Sequence, residues 1–430
     1  MTPKAEIKLN QPLNGKYYTT NEPITGALLV KSDKAMCIQK IELTLRGIAQ
    51  TLVRQERSDY QYTMNAGFPL RSCHVLVDNK LTLFPPANVS KAISEPDKAF
   101  TLAKGSHEYP FQFLVPYQPR CMTDHGAATS GFNCNEEDAR IPPSFNTDSA
   151  QQELDNVEAY YYKMGTIHYY FKAQIFMGKS KFRLKPFNPM VEAYKMIEFI
   201  PESMEEGNQA VNVDTSCGPT DKFVSETDLK LRGDVSAWVE VRAKSLNRVH
   251  RMDYLFKPGC RRFDRIYLMF TDVPASSNSI KVTKLKLVLQ EVLDYLSNGL
   301  INSIQGKIPL IEVPLDITLD PSELKVLKNG TVEWPLSIAK TEPLCSYRFN
   351  EDDMKYKGNG LYSFMCCNIR RSFKFLLKVT VEINGVAQEV EVSASSTKID
   401  RKLAIEQEQL PRYEPDDVPP EYGHTIASDN

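Results

Sequence analysis

The chain predicts an all-β protein, with two β-sandwiches in tandem followed by a disordered C-terminal tail. Three observations predict this. Short runs of alternating apolar and polar residues recur along most of the 430 residues, which is the period of half-buried strands. A polar stretch near the middle of the chain separates two sets of such runs. From about Lys398 onward charge and proline take over, and such a segment buries too little apolar surface to offset the entropy of ordering.

The elements follow in order. Ala5, Ile7 and Leu9 alternate with Glu6 and Lys8, a first strand by period. Runs at 24–30, 38–45 and 48–53 behave similarly, separated by Pro, Gly, Asn and Asp, and 111–115 and 167–176 continue them. Apolar spacing near 3.6 residues occurs only weakly, at 49–58 and 404–410. Residues 118–158 contain Gly126, Gly131, Pro142 and Pro143 and read as a long loop, a length associated with function or mobility. Residues 201–228 are polar with almost no aromatics and read as an interdomain linker. Strands resume at 235–241, 265–270, 282–292, 310–313, 332–336, 373–383 and 387–392. The expected organisation is a first sandwich at 1–200, a linker at 201–228, a second sandwich at 229–397 and a tail at 398–430. Two sandwiches of ~170–200 residues fit the length.

Composition narrows the function. An apolar content of 42% and a charged content of 25% are ordinary for a globular protein. A net charge of −2 gives no general attraction to nucleic acid. No apolar run approaches the ~20 residues of a membrane-spanning helix. Residues 1–10 lack the apolar centre of a secretory signal, and no lipidation signal is present. Nine cysteines, an odd number at irregular intervals, suit reduced thiols in a cytoplasmic protein. The sequons at Asn88 and Asn329 are then expected to be unmodified.

Catalytic and metal signals are weak. No G-x-S-x-G, phosphate-loop or dinucleotide fingerprint occurs, and the six histidines show no setting that would activate a nucleophilic cysteine. Cys121, His125 and Cys134 share one loop, but C-x3-H-x8-C is not an established zinc spacing. Cys366 and Cys367 are adjacent, so on a strand they would face opposite sides. The expectation is a non-enzymatic protein with no cofactor and no metal.

The strongest motif is Pro419-Pro420-Glu421-Tyr422, a P-P-x-Y sequence. Consecutive prolines favour polyproline II, where three residues per turn put Pro419 and Tyr422 on one face. Such peptides dock in the aromatic-lined groove of WW domains. Leu410-Pro411-Arg412-Tyr413 is an L-P-x-Y variant just upstream. Tyr413 and Tyr422 are nine residues apart. That span averages ~15–18 Å if flexible, which favours rebinding at one WW domain over independent bivalency.

Two basic sets are candidate cargo- or lipid-binding groups. Arg248, Arg251, Lys257, Arg261, Arg262 and Arg265, with His250 among them, are offset only by Asp253 and Asp264. They suit anionic head groups, an acidic cargo tail or phosphate, although cations also guard a solvated sandwich edge. Lys179, Lys181, Arg183 and Lys185 alternate with Ser180, Phe182 and Leu184, which on a strand puts the cations on one face.

Several blocks in sequence resemble the α-arrestins. Ile41-Glu42-Leu43-Thr44-Leu45-Arg46-Gly47 resembles the Gly-ended strand near the start of arrestin N-domains. Gly105, then Tyr109-Pro110-Phe111-Gln112-Phe113 and Pro116, resembles the pattern G…PF.F..P. Ile141-Pro142-Pro143-Ser144-Phe145, then Gly165-Thr166-Ile167 and the strand 169–173, resembles the next block. With Met252 to Phe256, Leu361-Tyr362-Ser363-Phe364 and the terminal motifs, the chain resembles a short fungal α-arrestin, or arrestin-related trafficking adaptor. The resemblance spans nearly the whole chain. It implies arrestin-like, immunoglobulin-type sandwiches. It also implies an adaptor whose PY motifs recruit a HECT-type ubiquitin ligase to plasma-membrane transporters or receptors, promoting their ubiquitination and endocytosis. Such a protein would be cytoplasmic and recruited to the plasma membrane or endosomes. The loop between Arg120 and Ile141 is longer than the family minimum, and the tail is short. The alternative is a retromer-like coat or sorting subunit that uses the same sandwiches without recruiting a ligase.

Overall fold

The computed structural model describes residues 3–20, 22–53, 70–86, 89, 99–121, 140–146, 165–178, 190–201, 221–231, 235–243, 250–251, 265–276, 278–345, 362–393 and 399–400. In the first half these form β1 (Lys4–Leu9), β2 (Ile24–Ser32), β3 (Met36–Val53), β4 (Leu70–Phe84), β5 (Phe100–Leu102), β6 (Gly105–Phe113), β7 (Phe145–Asn146), β8 (Gly165–Met177) and β9 (Met190–Ile197). One sheet runs β1-β2-β6. The other runs β4-β3-β8-β7, with β5 added to β3 and β9 to β8. Alternation gives strands such as β1 and β6 one wetter and one drier face. Ile7, Leu28 and Phe111 from the first sheet meet Leu43, Leu45 and Phe171 from the second in one core. The Phe171 ring centre lies 5.4 Å from Phe111 and 5.3 Å from Phe113.

The second half holds β10 (Asp221–Val224), β11 (Leu229–Lys230), β12 (Ser236–Ala243), β13 (His250–Arg251), β14 (Arg265–Phe270), β15 (Ile280–Ser297), β16 (Leu300–Thr318), β17 (Lys325–Val326), β18 (Val332–Pro335), β19 (Phe364–Met365), β20 (Ile369–Ile383), β21 (Val386–Ser393) and β22 (Ile399–Asp400). One sheet runs β10-β12-β14-β18-β17, with β11 on β12. The facing sheet runs β16-β15-β20-β19, with β21 on β20. Val239, Val241 and Leu268 pack against Leu285, Leu287 and Leu377 between them. Trp334 is fully buried there, and its indole N–H donates to Glu323 Oε2 at 3.0 Å. Asn298-Gly299 and Asn384-Gly385 take positive φ at the tips of the β15–β16 and β20–β21 hairpins, the conformation that matches strand twist in a two-residue turn. A short helix, α1 (Ile338–Cys345), follows β18 and buries Leu344 and Cys345. β13 and β22 pair in parallel.

The all-β expectation holds, with local corrections. The runs at 38–45 and 48–53 form the single strand β3, which passes through a register irregularity at Gly47/Ile48. The helical spacing at 49–58 begins on that strand, where Ala49 pairs with Ile167 and His74 on its two sides. Cross-strand pairing there outweighs a weak local pattern. β10 falls inside the stretch 201–228 and pairs with β12, so the chain joins the second sandwich before the expected linker ends. The run at 310–313 is the middle of the much longer β16.

Two sandwiches do not make two separate cores. Leu293, Tyr295, Phe364, Cys366, Cys367 and Ile369 come from the second half of the sequence but belong to the first core. The far end of β15 and the β19–β20 hairpin are therefore inserted into the first sandwich. Burying a side chain such as Ile369 contributes roughly 1.5–3 kcal/mol, which ties the halves together.

Candidate functional site

The structure reaches few of the residues singled out from sequence. Leu410, Pro411, Tyr413, Pro419, Pro420 and Tyr422 lie outside the described residues. So do Lys179, Lys181, Arg183, Lys185, Arg248, Lys257, Arg261 and Arg262. Arg251 lies in β13, its backbone paired with Asp400. Arg265 opens β14, is exposed, and stands directly opposite Arg242 of β12.

Like charges facing across a sheet repel, and local carboxylates offset this repulsion. Arg242 Nε donates to Glu240 Oε1 at 2.6 Å and Nη2 to Glu333 Oε2 at 2.9 Å. Its guanidinium also lies 3.9 Å from the Tyr267 ring centre. Burial would lower the Arg242 pKa, but the bonds to Glu240 and Glu333 outweigh it and hold the group charged. Arg242 is thus neutralised by Glu240 on its own strand and by Glu333, far away in sequence, while Arg265 stands exposed opposite it.

The described residues converge at the junction of the halves, and the local sequence explains how. Gly165 starts β8 beneath the Tyr295 ring, where an added Cβ would sit 2.3 Å from Cε1. Gly47 allows a similar approach, since its Cβ would lie 2.6 Å from the Tyr169 ring. Tyr169 is fully buried and its hydroxyl donates to the Pro142 carbonyl at 2.6 Å. Burial raises its pKa well above the ordinary value, so it stays a donor. Ser144 Oγ accepts from the Phe199 N–H at 2.9 Å, fixing the 141–145 segment. Phe145 then meets Phe364 edge-on, with ring centres 5.1 Å apart. The sequence blocks around Gly47, Pro142–Phe145 and Gly165 therefore build one contact surface.

Polar groups lock this surface. The β19–β20 hairpin turns at Cys367-Asn368, where Cys366 N–H donates to Ile369 O at 2.8 Å. At its tip Asn368 Nδ2 donates to Ala49 O at 3.1 Å. Thr51 Oγ1 donates to Leu296 O at 2.7 Å. Arg371 is buried and donates through Nε to Glu291 Oε1 at 2.7 Å. Its guanidinium lies 5.4 Å from the Phe145 ring, 5.8 Å from Tyr362 and 5.0 Å from Phe373.

Cysteines meet in the same place. Cys121 Sγ and Cys367 Sγ are 3.1 Å apart across 246 residues of sequence, both are buried, and neither is in a disulfide. The hydrogen bond to Cys367 and burial together push the Cys121 thiol well above its ordinary pKa. His74, half-buried on β4, brings a ring nitrogen to within 4.8 Å of both sulfurs. The sequence pattern grouped Cys121 with His125 and Cys134, which lie outside the described residues. The adjacency of Cys366 and Cys367 suggested opposite faces of a strand, but both precede β20 at a hairpin turn.

Comparison with known proteins agrees with this architecture. Residues 5–181 match the family model of the arrestin (or S-antigen) N-terminal domain. Residues 217–404 match that of the arrestin-related trafficking adapter 10 C-terminal domain. The chain is 31% identical over 426 residues to arrestin-related trafficking adapter 10 of Lachancea thermotolerans, covering 97% of this chain and 99% of that one. It is 29% identical over 518 residues to the protein of the same name from Saccharomyces cerevisiae strain S288c, covering 98% and 99%. The Candida glabrata protein of that name is 29% identical over 501 residues, covering 96% and 98%.

Proposed function

Because this chain belongs to the arrestin-related trafficking adapters, a family of adaptors and not of enzymes, we propose that it recruits a HECT-type ubiquitin ligase carrying WW domains to membrane-protein cargo. The observation that carries the proposal is Pro419-Pro420-Glu421-Tyr422, with Leu410-Pro411-Arg412-Tyr413 nine residues before it. The prolines lower the entropy lost on docking, and Tyr422 supplies the aromatic anchor. The double sandwich presents its surface to a cytosolic segment of a transporter or receptor. Arg265 and the basic residues before it are the cargo- or lipid-facing groups, as are Lys179, Lys181, Arg183 and Lys185. Holding ligase and cargo on one chain raises their effective concentration, so ubiquitin transfer becomes quasi-intramolecular. The modified cargo is then endocytosed. The adaptor works from the cytoplasm and is drawn to the plasma membrane or endosomes by what it binds.

The test is co-purification of the ligase with the full chain. Tyr422→Ala combined with Tyr413→Ala abolishes ligase capture and leaves the far-UV circular dichroism unchanged. Undiminished ligase capture by the double variant would remove the mechanism and leave a coat or sorting subunit as the reading.

A further inference from the structure

Three metal-ligating side chains from distant parts of the chain meet at the junction. His74 comes from the edge strand β4, Cys121 from the segment after β6, and Cys367 from the tip of the β19–β20 hairpin. Their donor atoms all lie within 4.8 Å of one another. We propose that His74, Cys121 and Cys367 bind a thiophilic divalent d10 cation of the Zn2+ class that ties the two halves together.

The geometry is close to what such an ion requires. Zinc–sulfur bonds of ~2.3 Å at a tetrahedral angle put two sulfurs ~3.8 Å apart, and a sulfur and an imidazole nitrogen ~3.5 Å apart. The observed sulfur separation of 3.1 Å has to open by under ~1 Å. The charge also fits. Two thiolates and a neutral imidazole around a dication sum to zero, so the junction buries no net charge. A monovalent copper ion in the same ligands would leave a net negative charge in the core, which disfavours it.

A disulfide is the competing use of the two sulfurs. It would need them to close to ~2.05 Å, and it gives no role to the imidazole. Cation binding uses all three groups. On uptake two S–H bonds break, two sulfur–metal bonds form and both protons leave to solvent, with no change of oxidation state. Three protein ligands leave one tetrahedral position to water. The ligands come from both halves of the chain, so binding favours the docked arrangement over any in which the β19–β20 tip withdraws.

The test uses the full chain purified under reducing conditions. Elemental analysis should find about one zinc per chain in the wild type. Replacement by Co2+ should give the thiolate charge-transfer and d–d bands of a tetrahedral site. His74→Ala and Cys367→Ser should each weaken metal retention roughly tenfold or more, since loss of an outer support alone costs 10–100-fold. His74 is half-buried on an edge strand, so its variant should keep the wild-type circular dichroism even where Cys367→Ser fails to fold. Three results would each overturn the proposal. One is a reduced wild type that neither contains nor takes up Zn2+ or Co2+. Another is wild-type retention in His74→Ala. The third is a Cys121–Cys367 disulfide in metal-free protein that takes up no metal after reduction.

Discussion

Replacing Glu291 with leucine tests whether a buried charge pair holds the junction. The Arg371 side chain is 1% exposed and that of Glu291 5%, with 2.7 Å between Nε and Oε1. Leucine removes the Glu291 carboxylate that faces the buried guanidinium, which also lies near three aromatic rings. The ring contacts exist before and after the change, so they offset none of the loss. Breaking one partner of such a pair costs roughly 3–5 kcal/mol. At about 2–4 °C per kcal/mol for a unit of 150–250 residues, Tm should fall by roughly 6–20 °C. The assay is urea and thermal unfolding followed by tryptophan fluorescence, since Trp238 and Trp334 both lie in the second half. Arg371→Met combined with Glu291→Leu should recover most of the loss, because an apolar pair of similar volume needs no countercharge. A single variant within ~1 kcal/mol of wild type, or a double variant no better than Glu291→Leu, would refute the reasoning.

Two further outcomes follow from the same structure. Gly165→Ala puts a methyl group 2.3 Å from the buried Tyr295 ring, so it should destabilise by about 1–3 kcal/mol as overpacking does. Tyr295→Leu in the Gly165→Ala background should restore part of that in urea unfolding, and no recovery would count against the contact. Glu42 gives a pH dependence. It is buried and paired with Lys40 at 3.0 Å and Lys80 at 2.7 Å. Burial would raise its carboxyl, but the two ammonium groups override this and lower the pKa below 4.5. The unfolded chain therefore binds the proton first as pH falls. The stabilisation is complete above the unfolded value and is lost as pH drops through the folded one. Glu42→Gln should flatten the fall of the urea midpoint below pH ~4.5, and an unchanged slope would exclude the pair as its source.

How much was legible in the sequence depended on where a strand sits. β14 was readable to the residue because Arg265 marks its start and the five residues after it are buried. β3 was readable as two runs, since Gly47 interrupts the pattern but not the strand. β4 was missed and β16 badly shortened, and both are edge strands. Edges tolerate polar residues and proline, as with Asp78 and Asn79 in β4 and Pro309 and Pro314 in β16. The Asn-Gly pairs at 298–299 and 384–385 were available as hairpin signals. The cysteine–histidine cluster was beyond local reading, since its two sulfurs are 246 residues apart and its histidine lies on a missed strand. Gly47, Pro142 and Gly165 were legible as family blocks, whereas their shared packing surface required the topology. The terminal motifs are the reverse case, a local pattern in the sequence that lies outside the described residues.

The short parallel pair β13–β22 sets a radius. Asp400 is fixed beside Arg251, and Pro419 lies 19 residues farther along the chain. At 3.3–3.6 Å per residue even a taut leash of that length spans no more than roughly 63–68 Å. Whatever grips Pro419 must stand inside that circle, on the side of the molecule where the leash is nailed down.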